Sequence, residues 1–197
     1  MADRIHRVII EGSRISTPRL TLRPWRRDDA VAALPVYGVH EVSRWLAPAL
    51  EPVSGLPAME RVVERWVSES ETLEPPQGRW AVLLRESGRL VGGVALLPLP
   101  PLGSDLEIGW QLAPDMWGQG LAAEAGHAVA HRAFESDAGV EELFAVVRPR
   151  NSRGAATARR VGMEWVGETE KYYDLLLQVY RLRKGDLDAG GPTAALR

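Results

Sequence analysis

The chain has no cysteine among its 197 residues. That absence excludes disulfides, thiolate metal sites and cysteine nucleophiles together. No apolar run approaches the ~20 residues that a bilayer span requires, and the "RVII" near the start is too short for the core of a secretion signal. Charge of one sign is also nearly absent: the net charge is −2, so nothing pulls the whole chain towards nucleic acid or an anionic membrane. The string G-x-x-x-x-G-K-[ST] is missing as well, which excludes a P-loop. The default expectation is a soluble cytoplasmic protein. A chain of this length fits one domain and buries roughly 70% of its unfolded surface, so a core needs no staples.

What is present reads as α+β. "RISTPRLTLRPW" alternates as a strand that Pro24 ends, and Asp28 or Asp29 is a candidate cap for a short helix after it. "PAMERVVERWVSESETL" has Met59, Val62 or Val63, Trp66 and Leu73 at helical spacing. "RWAVLLRESGRLVGGVALLP" reads as a hairpin around Ser87-Gly88, and "PLPPLG" as a proline-rich connection. "SDLEIGWQL" alternates cleanly: Leu106, Ile108, Trp110 and Leu112 point one way, and Asp105, Glu107, Gly109 and Gln111 the other. Helix "GLAAEAGHAVAHRAFE", strand "ELFAVV" and helix "SRGAATARRVG" follow, the last with Gly162 as its cap. "EWVGE" and "YYDLLLQVYRL" read as two closing strands, and the stretch from Lys184 lacks periodicity.

"DMWGQGLAAEA" stands where the alternating strand stops and an alanine-rich helix begins. Glycine permits close approach, and the first N–H groups of a helix have no partners within it, so this junction suits an anion. A plain strand–helix turn is the alternative. Gly118, Gly120 and Ala123 also satisfy the dinucleotide fingerprint G-x-G-x-x-G/A formally. However, Pro114 to Trp117 separate the strand from the first glycine, where that fingerprint needs a tight turn directly off the strand.

"LEIGWQLAPDMWGQGLAAEA" resembles the acyl-CoA loop of the GNAT superfamily of N-acetyltransferases, and "AVVRPRNSRGAATARRVGMEWVG" resembles the strand–Asn–helix segment that follows it there. "TPRLTLRPWRRDDA" resembles the opening of the RimJ/RimL-like branch, whose members acetylate N-termini of ribosomal proteins and, in relatives, small amines. The resemblance spans residues 14–183. It implies the GNAT fold, a mixed, mostly antiparallel central sheet flanked by helices, as a single domain between an N-terminal segment (1–13) and a C-terminal tail (184–197). It implies acetyl-CoA as co-substrate, no metal, and a primary amine as acceptor, a protein N-terminus ahead of a small molecule. Neither nucleic acid nor membrane is implied, and a homodimer is left open. A non-catalytic acyl-CoA-binding regulatory module is the competing function.

Carried over residue by residue, the amides of Trp117, Gly118, Gln119, Gly120, Leu121 and Ala122 would hold the pyrophosphate. Gln111, Leu112 and Ala113 would pair with the pantetheine arm, and Asn151 would contact it. Asp115 stands where the family has Gln or Arg. Arg148, Arg150, Arg153, Arg159 and Arg160 crowd one segment; Arg153 is the candidate for the cofactor's phosphates and most of the others read as a solvated face. Asn151 and Ser152 are equally candidates for a plain helix cap.

Glu107 is the candidate general base, on the polar face of the strand bordering the thioester, with a solvated carboxylate as the alternative. The family's usual proton donors are missing: Tyr seven residues after the Asn is Ala158, and Ser three residues after it is Gly154. Ser152, Tyr172, Tyr173 or a water are left as substitutes. His127 and His131 share a helical strip with Glu124 and Glu135 at a spacing zinc can use, but such strips are mostly solvated surface. Trp66 and Trp110 fit core positions; Trp45 reads as core or as a wall of the acceptor pocket.

Overall fold

The computed structural model describes residues 7–100, 103 and 105–188; parts of the N-terminal segment, the "PLPPLG" connection and the C-terminal tail fall outside the described residues. The strands are β1 (Ile9–Glu11), β2 (Arg14–Ser16), β3 (Leu20–Pro24), β4 (Gly78–Leu84), β5 (Leu90–Pro98), β6 (Leu106–Leu112), β7 (Glu142–Val147), β8 (Glu164–Thr169) and β9 (Leu177–Arg183). They form one sheet in the order β1-β2-β3-β4-β5-β6-β7-β9-β8. Every pairing is antiparallel except β6 with β7, which is parallel. The helices are α1 (Ala30–Tyr37), α2 (His40–Ser43), α3 (Leu56–Ser70), α4 (Leu121–Phe134) and α5 (Ser152–Val161). No described helix is long and apolar enough to cross a membrane.

Strand alternation sorts the core into two layers. Trp80 and Val82 of β4 turn to one face, where α4 and α5 add Ala128, Val129 and Ala158; Ala81 turns to the other face, beneath α1 and α3. There Met59, Val63 and Trp66 of α3 are buried, three of the positions that periodicity picks out, while Leu73 lies beyond the helix end. Trp66 meets Trp25 and Tyr37 with ring centroids 5.0 Å from each.

Two expected strands differ from what forms. The "RISTPRLTLRPW" stretch folds back on itself, because Pro18 sits in a turn and β2 pairs with β3. In "YYDLLLQVYRL" the strand begins only at Leu177, since Tyr173 and Asp174 adopt left-handed φ of +57° and +52° that break the extended run.

Candidate active site

The parallel pair β6–β7 meets in register only at Glu107 and Phe144, near the start of β6; beyond it the strands splay apart. The Ala113 N–H donates to Val91 O at 2.9 Å. In that antiparallel register, Glu107, Gly109, Gln111 and Ala113 spend their backbone groups on β5, leaving those of Ile108, Trp110 and Leu112 to face the splay. A cleft of about 660 Å³ fills the gap, walled by β6, β7, the glycine loop, the start of α5 and the 41–50 loop.

At one end, Gly118 and Gly120 take φ of +78° and +75°, a left-handed conformation that glycine adopts without strain. Trp117 N–H is used by Pro114 O at 3.2 Å, and Glu124 N–H by Gly120 O at 3.0 Å. Between them, the amides from Gly118 to Ala123 have no acceptor among the described residues. The expected donor set thus moves one residue along at its start. Trp117 contributes its ring instead: Nε1–H donates to Leu112 O at 2.8 Å, and the Arg153 guanidinium lies 4.7 Å from the ring centroid. Of the expected Gln111–Ala113 stretch, only Leu112 turns its backbone to the splay, and its carbonyl is already engaged by Trp117. Arg19, which no motif singled out, braces this loop: its Nη1 donates to Gln119 O at 2.8 Å and its Nε to Glu124 at 2.6 Å.

Glu107 also lines the cleft. Tyr173 O–H donates to its Oε2 at 3.1 Å, and the Val146 backbone N–H donates to the same carboxylate. Burial pushes the carboxyl up to about 7, against those two hydrogen bonds and the attraction of the nearby Arg79 guanidinium. Burial, and next the Glu107 charge, hold the Tyr173 phenol well above the ordinary tyrosine range. Gly109 leaves the floor beside Glu107 open: a Cβ there would meet only Gln111 Nε2, at 3.9 Å. Arg79, another residue not foreseen, pairs with Glu69 at 3.2 Å and sits against the Trp66 ring.

The remaining candidates separate. Tyr172 is drawn away, donating to Asp105 at 2.6 Å. Asn151 is the cap of α5, its Oδ1 accepting from Gly154 N–H at 3.0 Å, and it also lines the cleft. A Cβ at Gly154 would come within 2.9 Å of Asn151 Nδ2 and 3.1 Å of Val147, so a serine has no room while that cap is made. Ala158 is fully buried in the core, which leaves no space for a phenol. Arg148 donates to Ala47 O at 2.6 Å, tying β7 to the 41–50 loop. Trp45 is half-buried, lines the cleft under Arg44 and takes no part in a core cluster.

The family model for the acetyltransferase (GNAT) domain matches residues 19–164. The chain belongs to the GNAT acetyltransferase family. GNAT domains use acetyl-CoA, so this GNAT protein is an acyltransferase. It is 24% identical over 159 residues to the uncharacterized N-acetyltransferase YoaA of Bacillus subtilis, covering 80% of this chain and 86% of YoaA. Its fold resembles that of RimJ from Mycobacterium smegmatis in complex with CoA-disulfide, with TM-score 0.68, 20% identity, and 86% and 84% of the two chains covered. It also resembles a putative ribosomal-protein-serine acetyltransferase from Vibrio cholerae, with TM-score 0.69, 20% identity, and 89% and 99% covered.

Proposed function

We propose that this GNAT protein transfers the acetyl group of acetyl-CoA to a primary amine, with a protein N-terminus as its preferred acceptor and Glu107 as its general base. The observation that carries this reading is the Glu107 carboxyl, half-buried beside the splay and poised at about 7. A base is most useful when its pKa lies near the working pH.

The cleft suits the co-substrate along its length. The amides of Gly118, Gln119, Gly120, Leu121 and Ala122, with Arg153 beside Trp117, would hold the pyrophosphate. The Trp110 backbone and the Leu112 N–H, which face the splay, would take the pantetheine arm as an added strand, with Asn151 lining the same cleft. The neutral amine attacks the thioester carbonyl, the C–S bond breaks, and the amine's proton passes to Glu107. The leaving thiolate then takes a proton; with thiols near ~8.5, a Glu107 carboxyl at about 7 returns it downhill. A separate acid is unnecessary, and Tyr173 serves to steady the carboxylate.

The same arithmetic supports an α-amine. Moving a proton from an α-ammonium near ~8 to a group near ~7 costs about 1.4 kcal/mol, against about 4.6 kcal/mol from a lysine ammonium near ~10.4. The likeness to RimJ and to the Vibrio ribosomal-protein-serine acetyltransferase points the same way. Thiol release from acetyl-CoA, measured against short peptides with free N-termini, N-terminally blocked lysine peptides and small amines, tests the acceptor. The free N-terminal peptides are expected to lead in kcat/KM; preference for blocked lysine peptides or small amines overturns that part.

Tyr173→Phe removes one hydrogen bond that favours the carboxylate. The acid limb of the rate profile is therefore expected to move above about 7 while folding is kept. A limb that stays in place would show that Tyr173 does not tune this group.

A further inference from the structure

On α4, away from the cleft, His127 and His131 do not form the solvated strip that the sequence suggests. His127 is 3% exposed, and only 15% of the His131 side chain is open. Glu124 leaves the strip to pair with Arg19 and to accept from Thr17. Its place is taken from the far end of the chain: after Leu187, itself buried in the core, Asp188 turns its carboxylate onto both imidazoles.

The distances are those of metal ligands. Each Nε2 lies 3.4 Å from Asp188 Oδ1. Around a zinc ion with bonds of ~2.0–2.2 Å, the edge of a tetrahedron is about 3.4 Å. The three ligand atoms all lie within 4.8 Å of one another, so only the edge between the imidazoles has to close. His131 Nε2 is buried with no hydrogen-bond partner among the described residues, although the Asp188 carboxylate lies 3.4 Å away. Its other nitrogen faces Glu135 Oε1 at 3.2 Å. A carboxylate on Nδ1–H fixes the tautomer that leaves the Nε2 lone pair pointing at a metal.

We propose that His127, His131 and Asp188 bind one divalent transition-metal ion, zinc by preference, with Glu135 orienting His131. Two imidazoles and one carboxylate are zinc ligands by type, and the fourth position is left to water. Bound there, the ion clips the segment after β9 to α4. No residue of this cluster lines the cleft, so its role is structural.

The test uses the full chain without a histidine tag. Zinc is titrated in competition with a chromogenic chelator, and cobalt is used as a spectroscopic stand-in. One ion per chain is expected, with a four-coordinate cobalt spectrum and a rise in Tm on adding zinc. Asp188→Asn and His131→Gln are expected to abolish both signals, and Glu135→Gln to weaken binding about 10–100-fold. Asp188 and Glu135 are each 64% exposed at the side chain, so these two variants keep the fold. Absence of zinc binding in the micromolar range, or equal affinity in wild type and Asp188→Asn, overturns the site.

Discussion

Gly120→Glu is expected to weaken acetyl-CoA binding by about 100-fold or more in calorimetry, a loss of at least ~2.7 kcal/mol. Two effects add. Gly120 sits at φ +75°, where a side chain strains the backbone by about 1–2 kcal/mol. The new carboxylate would also stand among the unpaired amides of Gly118 to Ala123, where it competes with the phosphates and repels them. The added Cβ itself has room, its closest neighbour being Arg19 Nη2 at 3.6 Å, so collapse of the fold is not expected. Unchanged binding would mean that the loop is only a strand–helix turn.

Glu107→Gln should lower kcat/KM for an N-terminal peptide by about 10²–10⁴, the range that a positioned base supplies, with little change in acetyl-CoA affinity. The same variant should gain stability above neutral pH. The folded carboxyl titrates at about 7 against an ordinary 4.5, so the folded state holds a proton that the unfolded state has released. The wild type carries no penalty below about 4.5; its stability falls as pH rises through the window from 4.5 to about 7 and stays lower above it. Discounted for the cleft's access to water, the variant's gain is about 1–2 kcal/mol at pH ~8 and nil at pH ~4. A Tm difference of the opposite sign would show that the carboxyl is not raised.

Strand β6 and the glycine loop were legible because their signals are local. β6 alternates residue by residue, which places Glu107, Gly109 and Gln111 on the face away from α4, and two glycines with one residue between them mark a junction that must turn left-handed. Glu107 could be picked from its face alone, but its raised carboxyl could not, since Tyr173 lies 66 positions along the chain. Nothing local distinguishes Tyr172 from Tyr173. The left-handed bend that aims one at Glu107 and the other at Asp105 has only Asp174, a residue that tolerates such φ, as a faint sign. Arg19 was hidden for the same reason as Tyr173: its partner Glu124 is 105 positions away. The histidines were misread because α4 is buried on more than one side, so a polar strip there need not face water.

Most direct is the slope of log kcat/KM against pH, with wild type and Glu107→Gln measured side by side on one N-terminal peptide. Free amine and free enzyme base both titrate in this quantity. Below pH ~7 the wild type should fall with a slope of about two, one proton for the α-amine near ~8 and one for Glu107, while the variant, slower throughout, falls with a slope of about one. Identical slopes in the two proteins would contradict the assignment of Glu107 as the base.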